Sequence, residues 1–483
     1  MELSLMNLAG NEAPKSCMTL CDATKSDILF YRFFEALSCV NGRKVSEREV
    51  FSDALRKLMT HPLCTKEEIV YRQDVICDFI SDRALWDGFY SCFYHLNECR
   101  EELNVKLKEN MGAYRNASNA IFNACGYLRS VSFILKRILL IMKRLKNVLD
   151  SGNYRSEGLK RLHEYVIPFD DGNEKLKELI SVCGRFEMFT SEEERDLRLE
   201  FDDQGCIQKF GLINEKYVKF TDPRLKEKKS FFRKNSIGEV YPSVRVSLNE
   251  EKGCDVKAVS DISDMMQDIS RSIFESVGTV CDERDVFKAV LFLYDLLSGK
   301  NIPLCFPEVN EGECILYENL YDPFLSLDGG IEVKPRTFAF SRKKGLIVCG
   351  DNGSGKTFLL RSLGMAQVMA QSGLFVTAEN ACINLTECVK TIFAGKENER
   401  VKTANKGRFE QEVKLLSDAA SEDSPRSLLL INEIFQSTDY KLASKAMVPI
   451  LGFLAKKGNC CAMATHLDEL KINSAFDNIE LRS

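Results

Sequence analysis

Leu346-Ile347-Val348-Cys349-Gly350-Asp351-Asn352-Gly353-Ser354-Gly355-Lys356-Thr357 is the stretch on which the reading of this chain turns. Gly345 to Cys349 is a short apolar run of the kind that forms a buried strand. Gly350, Asp351, Asn352, Gly353, Ser354, Gly355, Lys356 and Thr357 then fit G-x-x-x-x-G-K-[ST], and a helical pattern opens at Thr357 and continues to Ser372. The spacing has a chemical reason. Glycines let successive backbone N–H groups turn inward around phosphate oxygens, and the N-terminus of the following helix adds its dipole. A lysine at position 356 brings a point charge to the outer phosphates, and a threonine hydroxyl at 357 suits a Mg²⁺ ion.

Two further strand ends extend the pattern. Leu428-Leu429-Leu430-Ile431 is a buried-strand run ending in Asn432-Glu433. A carboxylate pair at such an end orients a Mg²⁺ shell and polarises an attacking water. Here Asn432 offers an amide on the metal side, which carries no charge, and Glu433 is the candidate general base. Another apolar strand runs from Cys460 to Ala464 into Thr465-His466, where an imidazole can reach a terminal phosphate. With further strands expected at Ile315 to Tyr317 and Phe375 to Thr377, alternating with helices, the C-terminal part reads as α/β with a largely parallel sheet.

Upstream the periodicity changes to 3.6. Ile69 to Ile80, Leu85 to Leu107 and Ser118 to Leu149 predict long helices, the last with an apolar stripe at Ile121, Leu128, Leu135, Leu139, Met142, Leu145 and Leu149. Lys136 to Lys146 decorates its other face. A solvated basic face accounts for that, and nucleic-acid contact is the second reading. Residues 197–250 break the helical pattern with strand-like runs at Cys206 to Phe210 and Val240 to Val246. Between them Lys216 to Lys234 interleaves Lys and Arg with Tyr217, Phe220, Phe231 and Phe232, which fits either a solvated loop or contact with a nucleic-acid strand. A net charge of −5 excludes bulk polycation character, so any such contact must be local. The 19 cysteines are scattered, many at apolar-face positions, and no secretory signal or membrane span is visible. They predict small buried hydrophobes in a reducing, cytoplasmic setting rather than disulfides or a zinc site.

These residues together resemble the MutS mismatch-repair family, within the ABC-type ATPases. The resemblance rests on Leu320-Tyr321-Asp322-Pro323-Phe324-Leu325, Gly350 to Thr357, Gly373-Leu374-Phe375-Val376-Thr377-Ala378-Glu379, Arg408-Phe409-Glu410-Gln411-Glu412, Asn432-Glu433-Ile434 and Ala464-Thr465-His466, in that order. It is closest over Glu313 to Leu470 and extends more weakly to Leu55 to Ile80. It implies an α/β P-loop NTPase of ABC/MutS type, at 311–483, preceded by a mostly α-helical core and lever at 25–310. A small strand-containing insertion at 197–250 and an N-terminal segment at 1–24 complete the expected organisation. The resemblance further implies ATP and Mg²⁺ as cofactors, with the phosphates on the Gly350 to Thr357 loop, Mg²⁺ on the side of Thr357 and Asn432, water activation by Glu433 and γ-phosphate sensing by His466. It also implies a homodimer formed through the ATPase, DNA as partner, and no membrane.

The departures shape the functional expectation. Asn432 replaces an Asp, Gly407 stands where a signature Ser is usual, and Phe435-Gln436-Ser437-Thr438 replaces a Gly-Arg-Gly-Thr type turn. No adenine-stacking aromatic is evident near Ile331. The helical core is expected to begin within about the first 60 residues, which leaves the family's N-terminal mismatch-reading and connector domains expected absent. The strands, helix-turn-helix and nuclease-like extension that can follow the switch histidine are expected absent too. The reading is therefore a slow, DNA-associated ATPase. The alternative is a nucleotide-binding switch or scaffold with little or no turnover. A transporter or chromosome-organising ATPase is disfavoured by the lack of an LSGGQ-type signature.

Overall fold

A computed structural model describes residues 3–8, 17–40, 43–113, 120–187, 197–201, 207–212, 218–219, 243–246, 256–328, 333–393, 408–421, 426–435, 440–467, 470 and 473–481. The chain divides into two compact units, one of Met1–Ser4 with Ser81–Arg284 and one of Leu5–Ile80 with Asp285–Ser483.

The first unit is built on helices Arg83–Ala113, Ala120–Ser151, Glu157–Val166 and Glu174–Glu187 together with the start of Val256–Ser298. In Ala120–Ser151, Leu128, Val131, Leu135, Ile138, Met142, Leu145 and Leu149 are all buried. Their spacing alternates three and four residues, a 3.5-residue repeat that keeps one seam against a neighbouring helix. Gly88 on Arg83–Ala113 lies close against this helix, since a Cβ there would lie 2.8 Å from both Val148 methyls. Four short antiparallel strands, Leu197–Phe201, Ile207–Leu212, Val218–Lys219 and Ser243–Val246, form a separate sheet in which Leu197–Phe201 pairs on one side with Ile207–Leu212 and on the other with Ser243–Val246.

The second unit holds an all-parallel six-stranded sheet in the order Thr19–Leu20, Cys388–Phe393, Ser427–Asn432, Cys460–Ala464, Leu346–Gly350, Asp477–Leu481. Ser427–Asn432 and Cys460–Ala464 are buried at every residue, as strands covered on both faces must be. Leu429 and Ile431 point into a core shared with Met447, Leu451 and Leu454 of helix Tyr440–Lys456. Leu430 points the other way, against Gly364 of helix Lys356–Gln371, where a Cβ would come within 2.7 Å of it. That alternation is the pleat reading out directly as two helical layers.

A second sheet runs Arg336–Ser341, Cys314–Leu320, Asn380–Asn384, Glu308–Asn310, antiparallel except at its last pair. The expected strand at Ile315 to Tyr317 lies here rather than in the parallel sheet. The expected strand at Phe375 to Thr377 does not form. Gly373, at φ 75°, reverses the chain after the helix, and the segment makes a single bridge from Val376 to Cys305. Leu374, Phe375 and Val376 are fully buried, so an apolar run mimicked a strand while serving as a core plug.

Candidate functional site

Strand register brings the three motifs together. Ala464 pairs with both Asn432 and Val348, so the ends of three adjacent parallel strands stand side by side. Two backbone bonds lace them further: Thr465 N–H donates to Val348 O at 3.0 Å, and Glu433 N–H donates to Ala464 O at 3.0 Å. The edge so formed lies at the carboxyl ends of the strands, the general ligand position of open parallel sheets.

The loop between strand and helix has left-handed backbone at Gly350 (φ 142°), Gly353 (φ 82°) and Gly355 (φ 95°). Gly350 is required twice over, since a Cβ there would sit 2.4 Å from Leu481 O and 2.7 Å from Ser354 Oγ. Gly355 begins helix Lys356–Gln371 without any side-chain cap, which leaves first-turn N–H groups for a ligand. Ser354 Oγ is buried with no hydrogen-bond partner among the described residues. Lys356 is 4% exposed, and its Nζ donates to the loop's own carbonyls, Gly350 O at 2.7 Å and Asp351 O at 3.0 Å. Thr357 Oγ1 donates to Asn432 Oδ1 at 3.2 Å. Inward-turned glycines, an uncapped helix start and a buried ammonium are the donor set that a triphosphate with its divalent cation demands, and these residues fit one.

Glu433 stands between two basic groups. Its Oε1 lies 3.9 Å from Lys356 Nζ and 3.1 Å from His466 Nε2. Its backbone is left-handed, φ 52°, and so is that of Phe435, φ 63°. Non-glycine residues adopt this region rarely and need outside support. Some of that support is Glu412, a buried carboxylate on helix Arg408–Ser421 that accepts a hydrogen bond from Phe435 N–H at 2.8 Å.

Thus Lys356, Thr357, Asn432, Glu433 and His466 converge on one edge of the sheet. Two further residues support the elements around this edge. Arg336 Nη2 donates to Ser354 O at 3.1 Å and braces the loop from the second sheet. Asp322 accepts from Ser362 Oγ at 3.0 Å and caps helix Pro323–Asp328 through Leu325 N–H at 2.9 Å, and burial pushes its carboxyl above the usual range. An isolated Arg carries no pattern, whereas Asp322 and Glu412 were visible only inside longer motifs.

Four cations of the basic run Lys136 to Lys146 are engaged within their own unit. Lys136 pairs with Glu187 at 2.8 Å, Arg137 with Glu102 at 2.6 Å, Lys143 with Asp171, and Lys146 with Asp150 at 2.5 Å and Asp170 at 2.7 Å. Of Lys216 to Lys234 only the backbone of Val218–Lys219 is described, and Gly407, Ile331 and residues 436–438 also lie outside the described residues. No helix among the described residues is long and apolar enough to cross a membrane.

Comparison with known proteins bears out the resemblance. Residues 346–481 match the model of MutS domain V, a phosphate-loop ATPase-type domain, and this stretch contains all three strand-end motifs. The chain is 26% identical over 259 residues to a DNA mismatch repair protein MSH2 of Arabidopsis thaliana, covering 53% of this chain and 25% of that one. It is 35% identical over 136 residues to an endonuclease MutS2 of Thermus thermophilus, covering 28% of this chain and 18% of the relative. It is 26% identical over 252 residues to an endonuclease MutS2 of Clostridium kluyveri, covering 50% and 30%. The matched stretch therefore spans less than a third of each of these relatives.

Proposed function

From a chain whose residues 346–481 match MutS domain V, we propose an ATP-binding protein of DNA repair or recombination that couples nucleotide binding and slow hydrolysis to conformational change on DNA. The observation that carries this reading is the meeting of Lys356, Thr357, Asn432, Glu433 and His466 at the ends of three adjacent strands. Backbone N–H groups of Gly350 to Thr357 bind the phosphate chain, and Lys356 exchanges the carbonyls of Gly350 and Asp351 for phosphate oxygens. Mg²⁺, when bound beside Thr357 and Asn432, neutralises charge on the phosphates. Glu433 takes the proton of the attacking water, while His466 holds the carboxylate at 3.1 Å and is placed to report the terminal phosphate. Asn432 gives an oriented dipole where a carboxylate would give a charge, which makes hydrolysis slow. The organisation that accompanies this reading is an ATPase at 311–483 behind a helical core and lever, acting as a homodimer through the ATPase.

Turnover of ATP by the full chain, by Lys356→Ala and by Glu433→Gln tests the enzymatic part. Both variants are expected to fall by about 100-fold or more, with Lys356→Ala also losing nucleotide affinity. Equal rates in all three proteins would sink it. A second reading, a nucleotide-operated switch without turnover, is favoured by the same Asn432. It predicts tight binding and ATP-dependent self-association with no phosphate release.

A further inference from the structure

A cavity of the second unit lies nowhere near the phosphate loop. About 970 Å³ in volume, it opens at the amino ends of the parallel strands. Lys343 lies just before Leu346–Gly350, Arg426 just before Ser427–Asn432, and Gly458-Asn459 just before Cys460–Ala464, and all of these line it. Strands of five or six residues put it roughly 16 Å or more from the carboxyl-end edge, at about 3.3 Å per residue. Ligands of open parallel sheets gather at the other end, so this cavity calls for its own account.

Cations outnumber carboxylates among the described residues that line it. Arg342, Lys343, Arg426, Lys456 and Lys457 reach it from separate segments of the chain. Glu311 and Glu313 form one wall, and Lys343 is paired with Glu313. Lys456 ends helix Tyr440–Lys456 and Lys457 follows it, where the helix dipole offsets part of their charge. Arg342 is offset only in part, by the Glu387 carboxylate. The half-buried Arg342 guanidinium donates to two neutral carbonyls, Leu385 O at 3.2 Å and Gly458 O at 2.9 Å, and those bonds use two of its five N–H groups. Burial, with Arg426 close by, holds its pKa below the usual value, so an arriving anion relieves a cation that is costly as it stands. Among the described lining residues, Leu385 and Ala455 are the only apolar side chains of more than glycine size, and none is aromatic. A protein partner depends on buried aromatic and aliphatic anchors, which this cleft does not offer. A row of separated cations without stacking rings matches a chain of phosphates held by its backbone, without base readout.

We propose that this cleft binds the phosphate backbone of a nucleic-acid strand along Arg342, Arg426 and Lys456, at the end of the sheet opposite the phosphate loop. The proposal rests on the DNA association in the functional reading and gives it a location, apart from the ion-paired Lys136 to Lys146 face. The test is fluorescence anisotropy of a labelled oligodeoxythymidylate with the full chain across a salt series, comparing wild type with the double variant Arg426→Glu, Lys456→Gln. Both side chains are exposed, so folding is expected to survive, and ATP binding at the far end of the sheet checks that it has. Affinity is expected to fall on the order of tenfold or more, and the slope against log salt to become shallower by about 1.4, at about 0.7 per lost single-strand contact. If both proteins bind alike, the cleft is wrong while DNA association stands. If a labelled polyglutamate binds in place of the oligonucleotide with the same dependence on Arg426 and Lys456, the cleft serves an acidic protein segment and the proposal is overturned. If wild type binds no oligonucleotide even at low salt, the cleft and the DNA association fall together, and ATP turnover then decides whether the nucleotide reading survives.

Discussion

Asn432 has a structural duty beside its proposed chemical one, since its Oδ1 accepts a hydrogen bond from Thr357 Oγ1 at 3.2 Å. An Asp can accept the same bond with the same shape, so Asn432→Asp changes charge and little else. Under the proposed function it is expected to lower the Mg²⁺ concentration for half-maximal turnover by about tenfold, roughly 1.4 kcal/mol, and to raise the rate. A variant with unchanged Mg²⁺ dependence would place the metal elsewhere. Gly350→Ala tests the loop by volume instead. Its methyl would meet Leu481 O at 2.4 Å in a backbone region that alanine avoids, so loss of nucleotide binding is expected, read by calorimetry. At this scale the phosphate loop was legible because four fixed residue types stand at fixed spacing. The bond from Arg336 to Ser354 O and that from Phe435 N–H to Glu412 span 18 and 23 residues, and no local pattern announces a contact at that range.

Helices carry their own start signals, and Asp82 is one that does double duty. It accepts from Leu85 N–H at 2.9 Å, capping Arg83–Ala113, and from Asn153 N–H at 3.0 Å, tying in the end of Ala120–Ser151. Those donors, that of Asn153 foremost, hold its carboxyl below the ordinary value of 3.8. A depressed carboxyl contributes stability that is fully present above the unfolded-state value and is lost as pH falls through the folded one. Asp82→Ala is therefore expected to cost about 1 kcal/mol at neutral pH. The gap from wild type should close in urea melts as pH falls below 3.8. A gap independent of pH would show that the carboxylate is not what holds these two helix ends. The stripe of Ala120–Ser151 was legible because periodicity survives whenever one face alone is buried. The Phe375 segment was misread for the converse reason: buried all round, it has no period, and only Gly373 hinted that the chain turns there.

Across the whole molecule, what escaped the sequence is strand order. Thr19–Leu20 forms the edge of the parallel sheet beside Cys388–Val389, a pairing across more than 360 residues made by a strand too short for any periodicity. Thr391 Oγ1 secures it by donating to Asp27 Oδ2 at 2.6 Å. The cysteines put the composition argument to a test on the same scale. Of the 17 cysteines among the described residues nine are buried, the placement expected of small hydrophobes. Burial raises Cys99 and Cys92 to about 11 and Cys77 and Cys460 to about 12. A thiol at about 11 holds roughly one thiolate in ten thousand at neutral pH, and the buried sulfur also lacks access. Cys21 and Cys314 are exposed. Brief alkylation of the folded chain by iodoacetamide near neutral pH, followed by peptide mass spectrometry, is expected to mark Cys21 and Cys314 well before Cys92, Cys99 and Cys460. In denaturant all should react alike. Equal labelling in the folded chain would mean that the sheet and helical cores open on the timescale of alkylation, and disulfide-linked peptides from unreduced protein would contradict the reading of these residues as packed thiols.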